Sequence, residues 1–351
     1  MRPATDVQAF RTSDFDYALP SELIAQTPAP ERGGSRLLVV HRARPDALDD
    51  RMFADFPSLV APGDLLVLNS TRVRHARFLG TRPSGAPAEV LVLHPAHDGA
   101  WLAMGRPGSA LRPGRRVRIG PDAEIETVAV LDDGNRLVRF HGLPDAAAIE
   151  RYGRLPLPPY IDRPPTADDE LRYQTVYAER EGSVAAPTAG LHFTEPMLRA
   201  IEARGVGIAR LDLEVGPGTF KPVDTDDPSE HPMHAERFEI PAVTAEAVAA
   251  TRAAGNAVWA VGTTVVRALE SAAADDGTIR PGPAETRLMI VPGHRFRVVD
   301  RLLTNFHLPR STLLMLVAAL AGHETVMAAY AHAVRARYRF YSYGDAMAVV
   351  P

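Results

Sequence analysis

Two short segments hold most of the residues that could do chemistry. They are Ser183-Val-Ala-Ala-Pro-Thr-Ala-Gly-Leu-His-Phe193 and Glu214-Val-Gly-Pro-Gly-Thr-Phe-Lys-Pro222. Both are crowded with Gly, Pro, Thr and aromatic residues, which build helices poorly but present backbone groups and polar tips well. They are therefore the first candidates for a ligand cradle. Lys221 in the second is the only lysine among 39 basic residues, and every other cation is arginine. It is either a chance survivor of a compositional bias or a working group.

A third candidate is Gly262-Thr263-Thr264, where an apolar strand-like run, Ala257–Val261, passes directly into a helix-like one. Such a junction aims free backbone N–H groups and the positive helix end at an anion, with two hydroxyls beside them. A carboxylate or a single phosphate would suit it, and an ordinary strand-to-helix turn is the alternative. The spacing matches neither a P-loop nor a dinucleotide fingerprint. Arg267 and Glu270, three apart, would share a helix face and could pair with each other. Four histidines, His192, His231, His234 and His307, fall in turn-rich stretches. His231-Pro-Met-His234 with Glu236 has no zinc spacing, and Pro232 prevents a regular helix there, so a general base or hydrogen-bond donor is expected rather than a metal ligand. Asn69-Ser-Thr-Arg72, Thr304-Asn305-Phe-His307 and Tyr341-Ser-Tyr343-Gly-Asp345 mix aromatic, amide and carboxylate groups in the manner of nucleoside pockets.

The elements that must position these groups fall into two textures. From about residue 72 to 145, short β-like runs (Glu89–Leu93, Trp101–Met104, Arg116–Ile119, Ile125–Leu131, Arg136–Phe140) alternate with turn dipeptides, which indicates a small barrel or sandwich. The C-terminal half alternates strands and helices. Thr194 caps a helix that Gly205 stops, and Arg210–Val215 reads as a half-buried strand. Helices are expected over Thr244–Ala254, Val265–Ala274, Ser311–Ala321 and Glu324–Arg337. Strand-like Arg36–Val40 and Asp64–Leu68 have no helical partners of their own. The expected fold class is therefore α/β: a discontinuous major domain, residues 1–70 and 150–351, with a small antiparallel β-barrel domain, 71–149, inserted into it. The proline-rich Pro156–Ile161 would be the stiff return linker.

Composition bounds the rest. The 351 residues carry a formal charge of −4 and no cysteine, which removes disulfides and thiolate nucleophiles and fits a reducing cytoplasm. No apolar run has the length of a signal peptide or a membrane span. Between Thr71 and Phe140, 11 Arg face 7 acidic residues, giving +4 and leaving −8 for the remainder. Arg112, Arg115, Arg116 and Arg118 form the tightest basic group, either a solvated face or a phosphate-contacting patch.

Taken in order, Phe15–Pro20, Asp64–Asn69 with Thr71-Arg72, Leu155–Ile161, Ser183–Phe193, Glu214–Val223, His231–Glu236, Ala260–Thr264 with Arg267 and Glu270-Ser271, Thr304–Pro309 and Tyr338–Met347 resemble the S-adenosylmethionine:tRNA ribosyltransferase-isomerase family of queuosine biosynthesis. The likeness runs from Asp14 nearly to the end. It implies transfer and isomerisation of the ribosyl group of S-adenosylmethionine onto 7-aminomethyl-7-deazaguanine (preQ1) at a tRNA wobble position, giving epoxyqueuosine, adenine and methionine. S-adenosylmethionine would be a consumed substrate, preQ1-modified tRNA the partner, and the enzyme a cytoplasmic monomer needing no metal.

On that resemblance, Gly262, Thr263, Thr264 and Arg267 are expected to hold the methionine carboxylate. Thr188, Gly190, Phe193, Gly216, Gly218, Thr219 and Phe220 would wrap the adenosine. His192 or His234 would move protons, while Glu236, Glu270 and Asp345 orient sugar hydroxyls or stabilise positive charge. Asn305, His307 and Tyr343 complete the pocket, and Arg72 and Arg74 join Arg112–Arg118 on the phosphates. Two other readings stay open: the same chemistry on a small amine or free deazapurine, and a non-catalytic RNA-binding module.

Overall fold

The computed structural model describes residues 10–42, 44, 46–216 and 223–351. Its largest element is a nine-stranded sheet. In spatial order the strands are Gly282–Thr286, Glu236–Ile240, Gly207–Leu213, Leu65–Asn69, Val258–Val261, Arg301–Asn305, Ala346–Val350, Arg36–His41 and Leu48–Met52. The strands at the centre are the most apolar ones: every residue of Leu65–Asn69 and of Val258–Val261 is buried, as expected for parallel strands covered on both faces. Alternation then sorts the side chains. Leu65 and Val67 enter one core with helices Ala242–Ala253, Thr263–Ala272 and Thr312–Ala321, whereas Leu66 and Leu68 enter another with Phe53, Phe56 and helix Glu195–Ala203.

Gly207–Leu213, Leu65–Asn69, Val258–Val261 and Arg301–Asn305 run parallel to one another, as do Arg36–His41 and Ala346–Val350, and the remaining pairings, those at both edges included, are antiparallel. The mixed α/β class expected from the sequence is the one found. Between the third strand of the chain in this sheet, Leu65–Asn69, and the fourth, Gly207–Leu213, the chain leaves it. Six strands from Arg77 to His141 close into an antiparallel barrel filled by Phe78, Val90, Val92, Val117, Ile125 and Val138. The entry and exit of this excursion are zipped together, Arg77 N–H donating to Arg154 O at 3.2 Å and Arg154 N–H to Arg77 O at 2.8 Å.

Most expected elements stand within two or three residues of their forecast positions. Thr194 caps its helix through Met197 N–H at 3.3 Å, and Gly205 ends it with φ +82°. One assignment changes character. The expected stiff linker 156–161 is packed, with Leu155, Leu157 and Ile161 in a core cluster beside Tyr173 and Tyr343. Among the described residues no single helix is long and apolar enough to cross a membrane.

Candidate active site

The carboxyl ends of the parallel strands, where open α/β sheets bind ligands, carry a cleft of about 650 Å³, part of it open to solvent. Its floor is Gly262-Thr263-Thr264, directly after strand Val258–Val261, and Thr304–Leu308, at the end of strand Arg301–Asn305. The 3-10 turn Thr188–His192 contributes Thr188 and Ala189, and Val215 closes one side. Gly262 has φ +96°, a conformation that glycine adopts without a Cβ penalty, and this lets the strand turn abruptly into helix Thr263–Ala272. The first turn of that ten-residue helix consequently offers N–H groups with no partner inside the helix.

Three polar atoms on the cleft wall are buried and unpaired: Thr264 Oγ1, Asn305 Oδ1 and the Tyr341 hydroxyl. Leaving such atoms unsatisfied costs about 1–3 kcal/mol each, so a wall with three of them is built for a polar guest. Asn305 is oriented by its amide N–H, which donates to Tyr341 O at 3.0 Å. Tyr341 holds φ +72°, uncommon for a side-chain-bearing residue, and its ring stacks on Tyr160 at 4.5 Å with a 21° tilt. Tyr160, from the packed return segment, also hydrogen-bonds the Ser342 hydroxyl.

His192 sits at the border between this cleft and a second cavity of about 320 Å³. Its Nδ1 bonds the Ser35 hydroxyl at 2.7 Å, its ring lies 5.0 Å from Phe53, and its Nε2 faces the Asn305 amide without closing a hydrogen bond. Burial pulls its pKa down to about 4, only partly offset by Asn305, so the ring is neutral at pH 7. His307 lines the cleft itself, with Nε2 2.8 Å from Thr304 Oγ1, and burial lowers its pKa to about 3.

Other expected site residues lie elsewhere. Arg267 is buried away from the cleft lining and pairs with Glu236, while its Nε donates to Leu288 O at 3.2 Å. Glu270 does not pair with Arg267; it accepts the backbone N–H groups of Arg297, Val298 and Val299 at 2.8–3.1 Å. Asp345 accepts the N–H groups of Arg36 and Arg339, each at 2.8 Å, and so ties the C-terminal turn to a strand, with burial raising its pKa. Phe193 is core, edge-on to Phe53 and Phe56. Gly190 is a packing glycine, since a Cβ there would stand 2.1 Å from the Tyr177 hydroxyl. Tyr343 lines the second cavity, its hydroxyl donating to Asp169 at 2.7 Å. Asn69 is occupied by the backbone of Thr71 and Leu213.

His234 is exposed in the loop before strand Glu236–Ile240. Gly216 follows Val215 and is half-buried, whereas Gly218, Thr219, Phe220 and Lys221 lie outside the described residues. Sequence reasoning missed Tyr160, Tyr341 and Ser342. The signal for the last two was present in the Tyr341–Asp345 segment, but it pointed to the wrong members.

The basic group on the barrel divides in two. Arg112 and Arg115 are exposed, while Arg116 meets Glu126 at 2.9 Å and Arg118 approaches Glu124 at 3.8 Å. Arg72 donates to Ala178 O at 2.9 Å, and Arg74 lies 5.0 Å over Trp101 and close to Glu181.

Residues 12–349 match the family model described as "Queuosine biosynthesis protein". The S-adenosylmethionine:tRNA ribosyltransferase-isomerase of Thiobacillus denitrificans is 52% identical over 338 residues, 96% of each chain. That of Burkholderia mallei is 55% identical over 346 residues, 95% of this chain and 94% of its own. The crystal structure of an S-adenosylmethionine tRNA ribosyltransferase from Thermotoga maritima is 36% identical. It covers 96% of this chain and 100% of its own, with a TM-score of 0.55. With a family model spanning nearly the whole chain and relatives above half identity, the chain belongs to the queuosine biosynthesis protein family of S-adenosylmethionine:tRNA ribosyltransferase-isomerases.

Proposed function

We propose that the protein transfers and isomerises the ribosyl group of S-adenosylmethionine onto preQ1 at the wobble position of tRNA, forming epoxyqueuosine and releasing adenine and methionine. The observation that carries this reading is the match to relatives of that name over 95–96% of the chain. The relatives' names specify tRNA, which favours it over a small free amine as acceptor. The cleft suits a nucleoside: stacked tyrosines, an amide, a threonine hydroxyl and a helix N-terminus converge on one space.

The chemistry asks for one positioned base. A sulfonium acidifies the adjoining ribose C5′ protons, so a neutral imidazole could accept one without a metal. His192 is neutral at pH 7 because burial disfavours its charged form. A base of low pKa has little driving force of its own, so on this reading the sulfonium supplies most of the activation. Residues 1–70 and 150–351 would form the catalytic α/β domain, and 71–149 an inserted barrel. Its unpaired Arg112 and Arg115 would meet RNA phosphates from a monomeric, cytoplasmic enzyme. The test is incubation with S-adenosylmethionine and a preQ1-containing anticodon stem-loop. Adenine release with a matching mass gain on the RNA is expected; adenine release without RNA modification would refute tRNA as the acceptor.

A further inference from the structure

The second cavity is lined by two arginines, Arg32 and Arg172, that make no ion pair among the described residues. Arg32 donates from Nη1 to Leu191 O at 3.1 Å and from Nη2 to Leu171 O at 2.8 Å. Arg172 donates from Nη1 to Pro30 O at 3.2 Å and from Nη2 to Ala29 O at 2.7 Å. Main-chain carbonyls fix both forks in place but leave their charge uncompensated. Among the described residues neither arginine has an acidic oxygen within 4 Å, whereas Arg77, Arg106, Arg116 and Arg118 of the barrel each do. Burial and the neighbouring Arg172 both lower the pKa of Arg32, as expected for two cations held in one place. Holding like charges together at a cavity wall is unfavourable unless an anion joins them.

Three further features narrow the anion. Glu31 lines the same cavity, so a carboxylate stands near the two cations without pairing with either. That is the charge pattern of a zwitterion: cations for a carboxylate, an acid for an ammonium. The cavity opens to solvent, so a polar arm can enter it from the surface. It also adjoins the nucleoside cleft, because Ser342 lines both and His192 stands between them, Nδ1 toward Ser35 in one and Nε2 toward Asn305 in the other.

We propose that this cavity is the seat of an α-amino acid zwitterion, the methionine arm of the sulfonium donor, with Arg32 and Arg172 on its carboxylate and Glu31 on its ammonium group. The inference rests on S-adenosylmethionine being the donor. It replaces Arg267, which Glu236 already occupies, as the carboxylate's partner. With the adenosine in the cleft and the amino acid in the cavity, the sulfur and C5′ fall at the junction, beside His192. The assignment thus explains why a base should stand at that border.

Binding separates this from turnover. Dissociation constants of S-adenosylmethionine and of 5′-methylthioadenosine, which lacks the amino-acid arm, would be measured by calorimetry. Wild-type protein, Arg32→Gln, Arg172→Gln, Arg32→Lys and Glu31→Gln would be compared. Either glutamine substitution should weaken S-adenosylmethionine binding about 10- to 100-fold, and Glu31→Gln about 3- to 10-fold, with 5′-methylthioadenosine unchanged within twofold. Arg32→Lys should recover part of the loss. If the two arginine-to-glutamine variants do not fold, Glu31→Gln and Arg32→Lys decide alone, because Glu31 is exposed.

Unchanged S-adenosylmethionine affinity in folded variants would overturn the assignment. So would weakened binding of the RNA stem-loop with S-adenosylmethionine unaffected, which would make the anion an RNA phosphate. Wild-type protein that fails to bind S-adenosylmethionine at all would sink the donor reading together with this one. Normal wild-type binding with silent variants sinks only this one.

Discussion

Removing the Glu236 carboxylate alone should destabilise the protein far more than removing it together with Arg267. Both side chains are at least nine-tenths buried, 6% and 7% exposed, and they pair directly. Taking away one partner strands the other charge in the interior, at a cost of about 3–5 kcal/mol, whereas replacing both with apolar residues of similar volume stays within roughly 1–2 kcal/mol of wild type. A chain of 351 residues at ~2.1 cal/mol/K per residue has an unfolding entropy near ~0.74 kcal/mol/K, so the single variants should lose roughly 4–7 °C in Tm. The assay is thermal unfolding of Glu236→Leu, Arg267→Met and the double variant, each beside its adenine-release rate. The double variant should recover most of the Tm and turn over within a few fold of wild type. A Glu236→Leu protein with unchanged Tm and no activity would refute the reasoning, since the carboxylate would then serve the reacting atoms rather than Arg267.

Four more outcomes are expected. Acidification should destabilise the protein from about pH 6.5 downward toward pH 4, because His192 and His307 have folded pKa values of about 4 and about 3, below the unfolded value, so the unfolded chain binds the extra protons. His307→Gln should flatten that slope in urea titrations at several pH values, and an unaltered slope would remove the assignment. His192→Ala should lower turnover about 10²-fold or more if it is the base, and an unchanged rate would end that role. Replacing Arg112 and Arg115 together by Gln should reduce the salt dependence of stem-loop binding by roughly one to two units of log–log slope, and Arg116→Gln by much less, because Glu126 already compensates it. Equal effects from all three would mean that RNA displaces the ion pair. Tyr341→Phe should raise Tm by roughly 1–4 °C, since an unpaired buried hydroxyl costing about 1–3 kcal/mol is lost, while raising the S-adenosylmethionine KM; an unchanged KM would remove that hydroxyl from the site.

The periodic elements were legible because local pattern and burial agree in them. Helix Glu195–Ala203 carries its cap and its stop in the sequence, and Leu65–Asn69 is apolar throughout because both of its faces are covered. Strands Glu236–Ile240 and Gly282–Thr286 escaped notice for different reasons: the first is short and only alternately buried, and the second forms the sheet edge, where Pro or Gly is tolerated. The cleft was half legible. Gly262–Thr264 and Asn305–His307 line it as expected, since the turn chemistry that marks them also builds it. Charged residues misled: Arg267, Glu270 and Asp345 have the types expected of a substrate site but answer backbone or each other's neighbours in the interior. Nothing in a linear pattern tells a buried carboxylate that caps three N–H groups from one that awaits a sugar.

The pairing of Arg77 with Arg154 brings the two ends of a long excursion to one point, so the intervening strands hang from the sheet by a two-stranded neck. A shorter or longer excursion could be spliced at that neck without stretching the sheet, and in this respect the strands behave as an exchangeable part. Tyr160 limits the exchange. It lies six residues past the neck and stacks on Tyr341 in the cleft wall. Any change that shifts the angle at which the excursion returns will therefore be felt by a ring that lines the cleft. A graft judged by folding alone would miss this; one judged by discrimination among adenosine analogues would reveal it.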